Sequence, residues 1–176
     1  MTSTLWAVSD LHAAVKRNGG HIDAIEPADP SDWLIVAGDV AERPELIIQV
    51  MEQLAERFHT VIWTPGNHEL FCKSADRHRG RDKYTMLVQA MRGIGVITPE
   101  DRYPVFGGVT VCPLFTLYDY SFRGPDLTVE EALAAAEEKQ VVMTDAFAIA
   151  PFVDIRAWCW DLSLIHISEP TRLLSI

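Results

Sequence analysis

Three short apolar segments, each followed at once by polar side chains, constrain the fold of this sequence most. Residues 5–8, 33–37 and 61–63 are rich in β-branched and aromatic residues, which is typical of strands buried on both faces. Between the second and third segments, residues 43–58 have the apolar spacing of an amphipathic helix, with Pro44 in its first turn. Strands that alternate with crossover segments indicate a parallel sheet, so we predict an α/β fold in which helices are layered on a sheet.

The remaining elements are predicted from weaker local patterns. Residues 76–83 carry mixed charges and indicate a loop. The other predicted elements are a short helix over 21–25, a helix over 84–93, two strands around the Gly107-Gly108 turn, and an alanine-rich helix that begins after an N-cap at Thr128 and ends near Gln140.

Composition excludes several classes of function. A chain of 176 residues with 48% hydrophobic residues is sufficient for one folded domain and too apolar for a disordered protein. The formal net charge of -10 argues against general nucleic-acid binding and against binding to anionic membranes, because both require a cationic surface. An acidic protein can still act on phosphate, since carboxylates hold metal ions that supply the positive charge.

Cysteine usage and hydropathy predict a cytoplasmic protein. Cys72, Cys112 and Cys159 are an odd number without a C-x-x-C pair, which favours reduced thiols. No apolar run approaches the roughly 20 residues needed to span a bilayer, and the first residues lack the pattern of a signal peptide. We therefore expect a cytoplasmic location and no membrane partner; the sequence carries no indication of oligomeric state.

The polar residues that follow the three predicted strands have side chains suited to metal binding. They are Asp10-Leu11-His12, Gly38-Asp39 and Gly66-Asn67-His68-Glu69. In a parallel α/β sheet, ligands bind beyond the carboxyl ends of the strands, so residues far apart in sequence can converge there. Carboxylate and amide oxygens together with imidazole nitrogens suit manganese, iron or zinc. Two such ions, about 3.5 to 4 Å apart, would clamp a phosphate and activate a water molecule.

In order and spacing these residues resemble the D-x-H, G-D and G-N-H-D/E motifs of the calcineurin-like metallophosphoesterases. The resemblance implies an enzyme that hydrolyses a phosphoric ester with two divalent metal ions. It implies four metal ligands, with Asp10 and His12 on the first ion, Asp39 bridging both ions, and Asn67 on the second. His68 would be the catalytic residue that gives a proton to the leaving group or stabilises the transition state, as imidazole can near neutral pH. Glu69 would orient His68.

A locally basic stretch follows the third motif. Arg77, His78 and Arg79 are candidate substrate-binding residues, because they can contact a phosphate or carboxylate of the substrate. The alternative is a solvated loop whose charges are balanced by Asp76 and Asp82. The expected substrate is a small-molecule phosphate ester; the sequence does not distinguish a monoester from a diester.

The C-terminal part of the sequence departs from the family pattern. The family's later histidine and its G-H-x-H motif have no counterpart here, and residues 162–172 resemble the in-frame translation of a transposase-type sequencing adapter. We therefore predict an incomplete metallophosphoesterase domain over 1–161, with its C-terminal part missing, and a non-native tail over 162–176. A genuine C-terminal segment is the alternative. Such a fragment would be weakly active or inactive, and a non-catalytic scaffold or interaction module is the alternative function.

Overall fold

A three-stranded parallel sheet lies at the centre of the fold. The computed structural model describes residues 3–117, 123–141 and 148–149, so the predicted tail lies outside the described residues. Strands β1 (Leu5–Val8), β2 (Trp33–Ala37) and β3 (Thr60–Thr64) pair side by side in that order, and both pairs are parallel. The prediction of an α/β fold with a parallel sheet is therefore confirmed.

Helices α2 (Pro44–Arg57) and α4 (Val129–Glu138) begin where the local capping residues predict. Helix α2 has Pro44 in its first turn, where a missing backbone N–H removes no helical hydrogen bond. Helix α4 begins with a capping box, in which Thr128 and Glu131 each bind the other's backbone N–H. The helices are α1 (Gly19–Asp23), α2 (Pro44–Arg57), α3 (Gly80–Gly93) and α4 (Val129–Glu138), and a hairpin is formed by β4 (Val105–Phe106) and β5 (Val109–Thr110). None of the helices in the described ranges is long and apolar enough to cross a membrane.

Helix α3 corrects the prediction of a loop over 76–83. It begins at Gly80 rather than at Tyr84. The polar character of this stretch is misleading because Lys83 is a buried helical residue, only 2% exposed, whereas Arg81 and Asp82 are exposed. A lysine that contributes to the core cannot be distinguished from a loop lysine by its local sequence.

The hydrophobic core is formed mainly by β2, β3, α2 and α3. Its fully buried side chains include Leu34, Val36, Ile47, Met51, Leu54, Trp63, Leu87 and Met91. Strand β1 does not match the prediction of burial on both faces, since Trp6 is 44% exposed and Ala7 is also exposed. The reason is its position: among the described strands, β1 pairs only with β2.

Asp32, which the sequence analysis did not single out, connects the starts of β1 and β2. Its buried carboxylate accepts hydrogen bonds from the Trp6 indole Nε1–H (2.9 Å), from the Thr4 backbone N–H (2.7 Å), and from the backbone N–H groups of Ala28 (3.0 Å) and Asp29 (3.1 Å). The hydrogen bond from Trp6 has the largest effect and that from Thr4 the next largest, and both lower the pKa of Asp32 below its ordinary value of 3.8. The ionised carboxylate therefore stabilises the folded state.

Replacing Asp32 by Asn is expected to destabilise the protein at neutral pH and to reduce its sensitivity to acid. Because the folded-state pKa is depressed, ionised Asp32 contributes stability above the unfolded-state pKa, and that contribution is lost as pH falls through the folded-state pKa. Urea unfolding over a pH series measures the free energy of unfolding of both proteins. The value for Asp32→Asn should lie below that of wild type at neutral pH, and the difference should narrow below about pH 4. Asp23→Asn, at an exposed position, is the matched control. If the free energy of unfolding depended on pH in the same way in Asp32→Asn as in wild type, ionised Asp32 would not stabilise the fold as proposed.

Candidate metal centre

The loop after β1 lies alongside the loop after β2. The backbone N–H of Asp10 donates to the carbonyl oxygen of Gly38 at 3.2 Å, and the N–H of His12 donates to that of Asp39 at 2.9 Å. These bonds extend the contact between the two chain segments past the ends of the strands. The first two predicted metal-binding motifs are therefore adjacent in space.

Glu69 joins the loop after β2 to the loop after β3. One oxygen of its fully buried carboxylate accepts the backbone N–H of Val40 (2.7 Å), and the other accepts those of Asp39 (3.0 Å) and Gly66 (2.8 Å). Burial raises the pKa of the Glu69 carboxyl, and the hydrogen bonds from these amides oppose that effect. The oxygens of Glu69 thus bind backbone amides that position the loops, and its role in orienting His68 stays a prediction.

The three loops bring one carboxylate and two imidazoles together. One ligand atom from each of His12, Asp39 and His68 lies within 4.8 Å of the others, and all three residues are half-buried. The centroids of the two imidazole rings are 4.7 Å apart, and the rings are in an edge-on arrangement. Oδ1 of Asp39 accepts the backbone N–H of His68 at 3.2 Å, which restrains the carboxylate. We call these three residues the donor cluster.

The other two predicted metal ligands, Asp10 and Asn67, lie next to the donor cluster. Asp10 is exposed, and its Oδ1 lies 4.0 Å from Nε2 of His12. Its other carboxylate oxygen accepts a hydrogen bond from the Ser9 hydroxyl at 2.6 Å. Asn67 is half-buried and directly precedes His68 in the chain. All four predicted ligands thus lie at the same end of the sheet, and the ligand atoms of His12 and Asp39 lie within 4.8 Å of each other and of His68.

The backbone at the donor cluster adopts an uncommon conformation. Asp10 (φ 55°), His12 (φ 41°) and Asp39 (φ 54°) are three of the four non-glycine residues with positive φ in the described ranges, the fourth being Gln140. Such conformations cost about 1–3 kcal/mol each and are concentrated at functional sites. Local sequence offers only a weak indication of them, since Asp and His tolerate this region better than most residues do.

Two glycines permit the close approach of the loops after β2 and β3. A Cβ atom at Gly66 would lie 2.2 Å from Oδ1 of Asp39, and one at Gly38, where φ is 72°, would lie 2.4 Å from the backbone nitrogen of Gly66. Neither position has space for a methyl group. The glycines that precede Asp39 and Asn67 are therefore required by the packing of the site itself.

Replacing Gly66 by Ala is expected to weaken metal binding. The added methyl group would displace the Asp39 carboxylate, and disturbance of groups around metal ligands typically costs about 10–100-fold in affinity. Titration calorimetry with Mn²⁺ measures the effect. Gly93→Ala, at the end of α3 with no atom within 4 Å of the added Cβ, is the matched control and should bind as wild type does. Unchanged affinity in Gly66→Ala would contradict the placement of Asp39 in the metal centre.

Besides His12, two side chains in the described residues contact the imidazole of His68. Oε1 of Glu42 lies 3.5 Å from Nδ1 of His68, and the ring centroids of Phe71 and His68 are 4.3 Å apart. Sequence reasoning missed Glu42, because an exposed acid in an acidic chain has nothing to distinguish it; its position shortly after Asp39 is the only available indication. Of the two glutamates, Glu42 is the one whose carboxylate lies beside the imidazole of His68.

A cavity of about 880 Å³ opens beside His68. Its lining includes Asn67 and His68 from the third motif and Arg77 and His78 from the basic stretch. Arg79 is exposed and is not part of the lining, so the predicted substrate-binding group is only partly brought together by the structure.

Comparisons with known proteins agree with this arrangement. Residues 3–149 match the family model described as calcineurin-like phosphoesterase. An acyl-carrier-protein phosphodiesterase, PptH, of Mycobacterium tuberculosis is 44% identical over 167 residues, which cover 90% of this chain and 52% of that protein. The crystal structure of phosphopantetheinyl hydrolase (PptH) from the same organism matches with a TM-score of 0.87 at 40% identity, over 99% of this chain and 64% of that chain. The chain thus spans about half the length of the curated relative it matches.

Proposed function

Because this chain belongs to the calcineurin-like phosphoesterase family, we propose that it carries the metal centre of an enzyme that hydrolyses a phosphodiester. The observation that carries the proposal is the donor cluster, in which His12, Asp39 and His68 converge at the carboxyl ends of three parallel strands. The likeness to a phosphodiesterase over most of the chain supports the same reaction.

The donor set fits divalent metal ions, which this family uses. Carboxylate oxygen and imidazole nitrogen together suit manganese, iron or zinc. We propose two ions, which Asp10, His12, Asp39 and Asn67 would hold. Such ions would polarise the phosphoryl group and lower the pKa of bound water.

His68 is the proposed catalytic residue. It lines the cavity, and its Nδ1 lies 3.5 Å from Oε1 of Glu42; we propose that Nε2 is the nitrogen that meets the substrate. In hydrolysis, the oxygen of water forms a bond to phosphorus and the bond from phosphorus to the leaving oxygen breaks. We propose that His68 supplies the proton that this oxygen takes, while the proton released by the attacking water passes to solvent. Glu42 would hold the imidazole in the required orientation.

The proposed substrate is a phosphopantetheinyl group carried by an acyl carrier protein. The names of the relative point to a protein-bound ester rather than to the free small molecule expected from the sequence. The cavity, at about 880 Å³, falls within the range of about 300–1,000 Å³ that is usual for small-molecule sites. A prosthetic group could enter it while its carrier protein stays outside.

The test is an assay of both kinds of ester with added Mn²⁺. The chain is incubated with phosphopantetheinylated carrier protein, whose mass is followed by mass spectrometry, and separately with bis(p-nitrophenyl) phosphate. We expect loss of the prosthetic group from the carrier, and a much slower loss with a His68→Ala variant. Turnover of the small ester alone would refute the carrier-bound substrate but would still support phosphodiester hydrolysis. Turnover of neither ester by a chain that binds Mn²⁺ would favour the interaction module over the enzyme.

Arg77 is proposed to contact an anionic group of the substrate, because it lines the cavity. Arg77→Ala is expected to raise KM about three- to tenfold with little change in kcat, since an exposed guanidinium contributes less than the roughly 1.5–3 kcal/mol of a charged hydrogen bond. Arg79→Ala, in the same stretch but outside the lining, is the matched control. Equal effects of the two substitutions would indicate general electrostatic attraction instead of a contact.

A further inference from the structure

Lys83 is a buried cation that the proposed mechanism does not use. Its side chain is 2% exposed, and its Nζ donates to the carbonyl oxygens of Glu42 at 2.7 Å and of Phe71 at 2.5 Å. Burial lowers the pKa of Lys83, and the nearby Cys72, Asp76, Glu69 and Glu42 oppose that effect. Burying an ammonium group is unfavourable unless it is well paired, so the two short bonds to carbonyl oxygens require an explanation.

Both carbonyl groups belong to residues that contact His68. Glu42, in the loop after β2, places its carboxylate 3.5 Å from Nδ1 of the imidazole. Phe71, which follows the turn His68–Leu70, packs its ring 4.3 Å from the imidazole ring. Lys83 therefore connects the backbones of two segments whose side chains contact the His68 ring.

We propose that Lys83 is a positioning residue for His68: its ammonium holds the backbones of Glu42 and Phe71 in the arrangement that directs the imidazole toward the cavity. The inference rests on the catalytic role proposed above for His68. Direct contact with the substrate is the competing explanation, because Lys83 also forms part of the cavity wall. Its low exposure and its two carbonyl partners favour the positioning role.

Steady-state kinetics distinguish the two explanations. Lys83→Met keeps most of the side-chain volume but removes the donors, and we expect kcat to fall about tenfold or more, as for other residues that orient a catalytic group, with KM unchanged. In a His68→Ala background the same substitution should cause no further loss, because its effect passes through His68. A rise in KM, or a loss that persists in the His68→Ala background, would overturn the inference.

An NMR measurement on the metal-free chain separates this inference from the proposed function. The imidazole signals of His68, assigned with a His68→Gln variant, should shift in Lys83→Met, whereas those of His21 and His59 should not. Unshifted His68 signals in folded Lys83→Met would overturn the inference even in an active enzyme. Shifted signals in a chain that hydrolyses neither ester would support the positioning of His68 and refute the proposed function.

Two further variants keep the inference testable if Lys83→Met does not fold. Lys83→Arg retains a cation with several donors and should leave the His68 signals closer to wild type than the neutral Lys83→Gln does. The reverse order, or wild-type signals in Lys83→Gln, would overturn the inference. Lys73→Met is the matched control, because Lys73 is an exposed lysine of the same cavity lining, and it should leave the His68 signals unchanged.

Discussion

Replacing Asp39 by Asn is expected to abolish the proposed phosphodiester hydrolysis and to weaken metal binding together. Asp39 supplies the carboxylate of the donor cluster, and asparagine has nearly the same volume but no charge. Its amide oxygen can still accept the His68 backbone N–H that Oδ1 of Asp39 accepts at 3.2 Å, so the loops should stay in place. Since changes even outside the direct ligands cost about 10–100-fold, we expect a loss of more than about 100-fold in kcat/KM.

The control for this experiment is Asp23→Asn, which makes the same chemical change at an exposed position of α1. Thermal unfolding should be close to wild type in both variants, which would assign the loss of activity to the site and not to the fold. Mn²⁺ titration supplies a readout that does not depend on substrate. If Asp39→Asn bound Mn²⁺ and hydrolysed bis(p-nitrophenyl) phosphate as wild type does, Asp39 would not be a metal ligand.

Replacing Glu69 by Gln is expected to destabilise the fold and the metal centre at once. The Glu69 carboxylate accepts three backbone N–H groups, those of Val40, Asp39 and Gly66, and both of its oxygens are used. Glutamine has a single side-chain oxygen, so its NH₂ group must face at least one of these donors. A buried donor without an acceptor costs about 1–3 kcal/mol, and loss of charge weakens the remaining bonds, so we expect a decrease of about 2–4 kcal/mol in the free energy of unfolding.

Glu52→Gln, on the exposed surface of α2, is the matched control and should unfold as wild type does. Urea unfolding measures the stability of each variant, and Mn²⁺ titration measures the site. The expected pattern differs from that of Asp39→Asn, in which the site is lost while stability is retained. Wild-type stability in Glu69→Gln would show that the three amide bonds contribute little, and the role assigned to Glu69 would then be withdrawn.

The main-chain elements nearest the site were largely predictable from local sequence. The predicted strands at 5–8 and 33–37 have the observed bounds, and helix α2 lies within its predicted range, because apolar periodicity and capping residues act over a few positions. The prediction failed where burial depends on distant segments. Lys83 was assigned to a loop because its local surroundings are polar, yet the carbonyl oxygens it binds belong to Glu42 and Phe71.

What the sequence determined by itself is the chemistry available at three strand ends. The residue types of Asp10, His12, Asp39, Asn67 and His68, together with a parallel sheet, were enough to predict where a metal centre would form. Tertiary structure alone decided which groups support it. Glu69 binds backbone amides across the loops, Glu42 lies beside His68, and Lys83 connects two loops. Each of these contacts joins segments that are far apart along the chain and meet only when it folds.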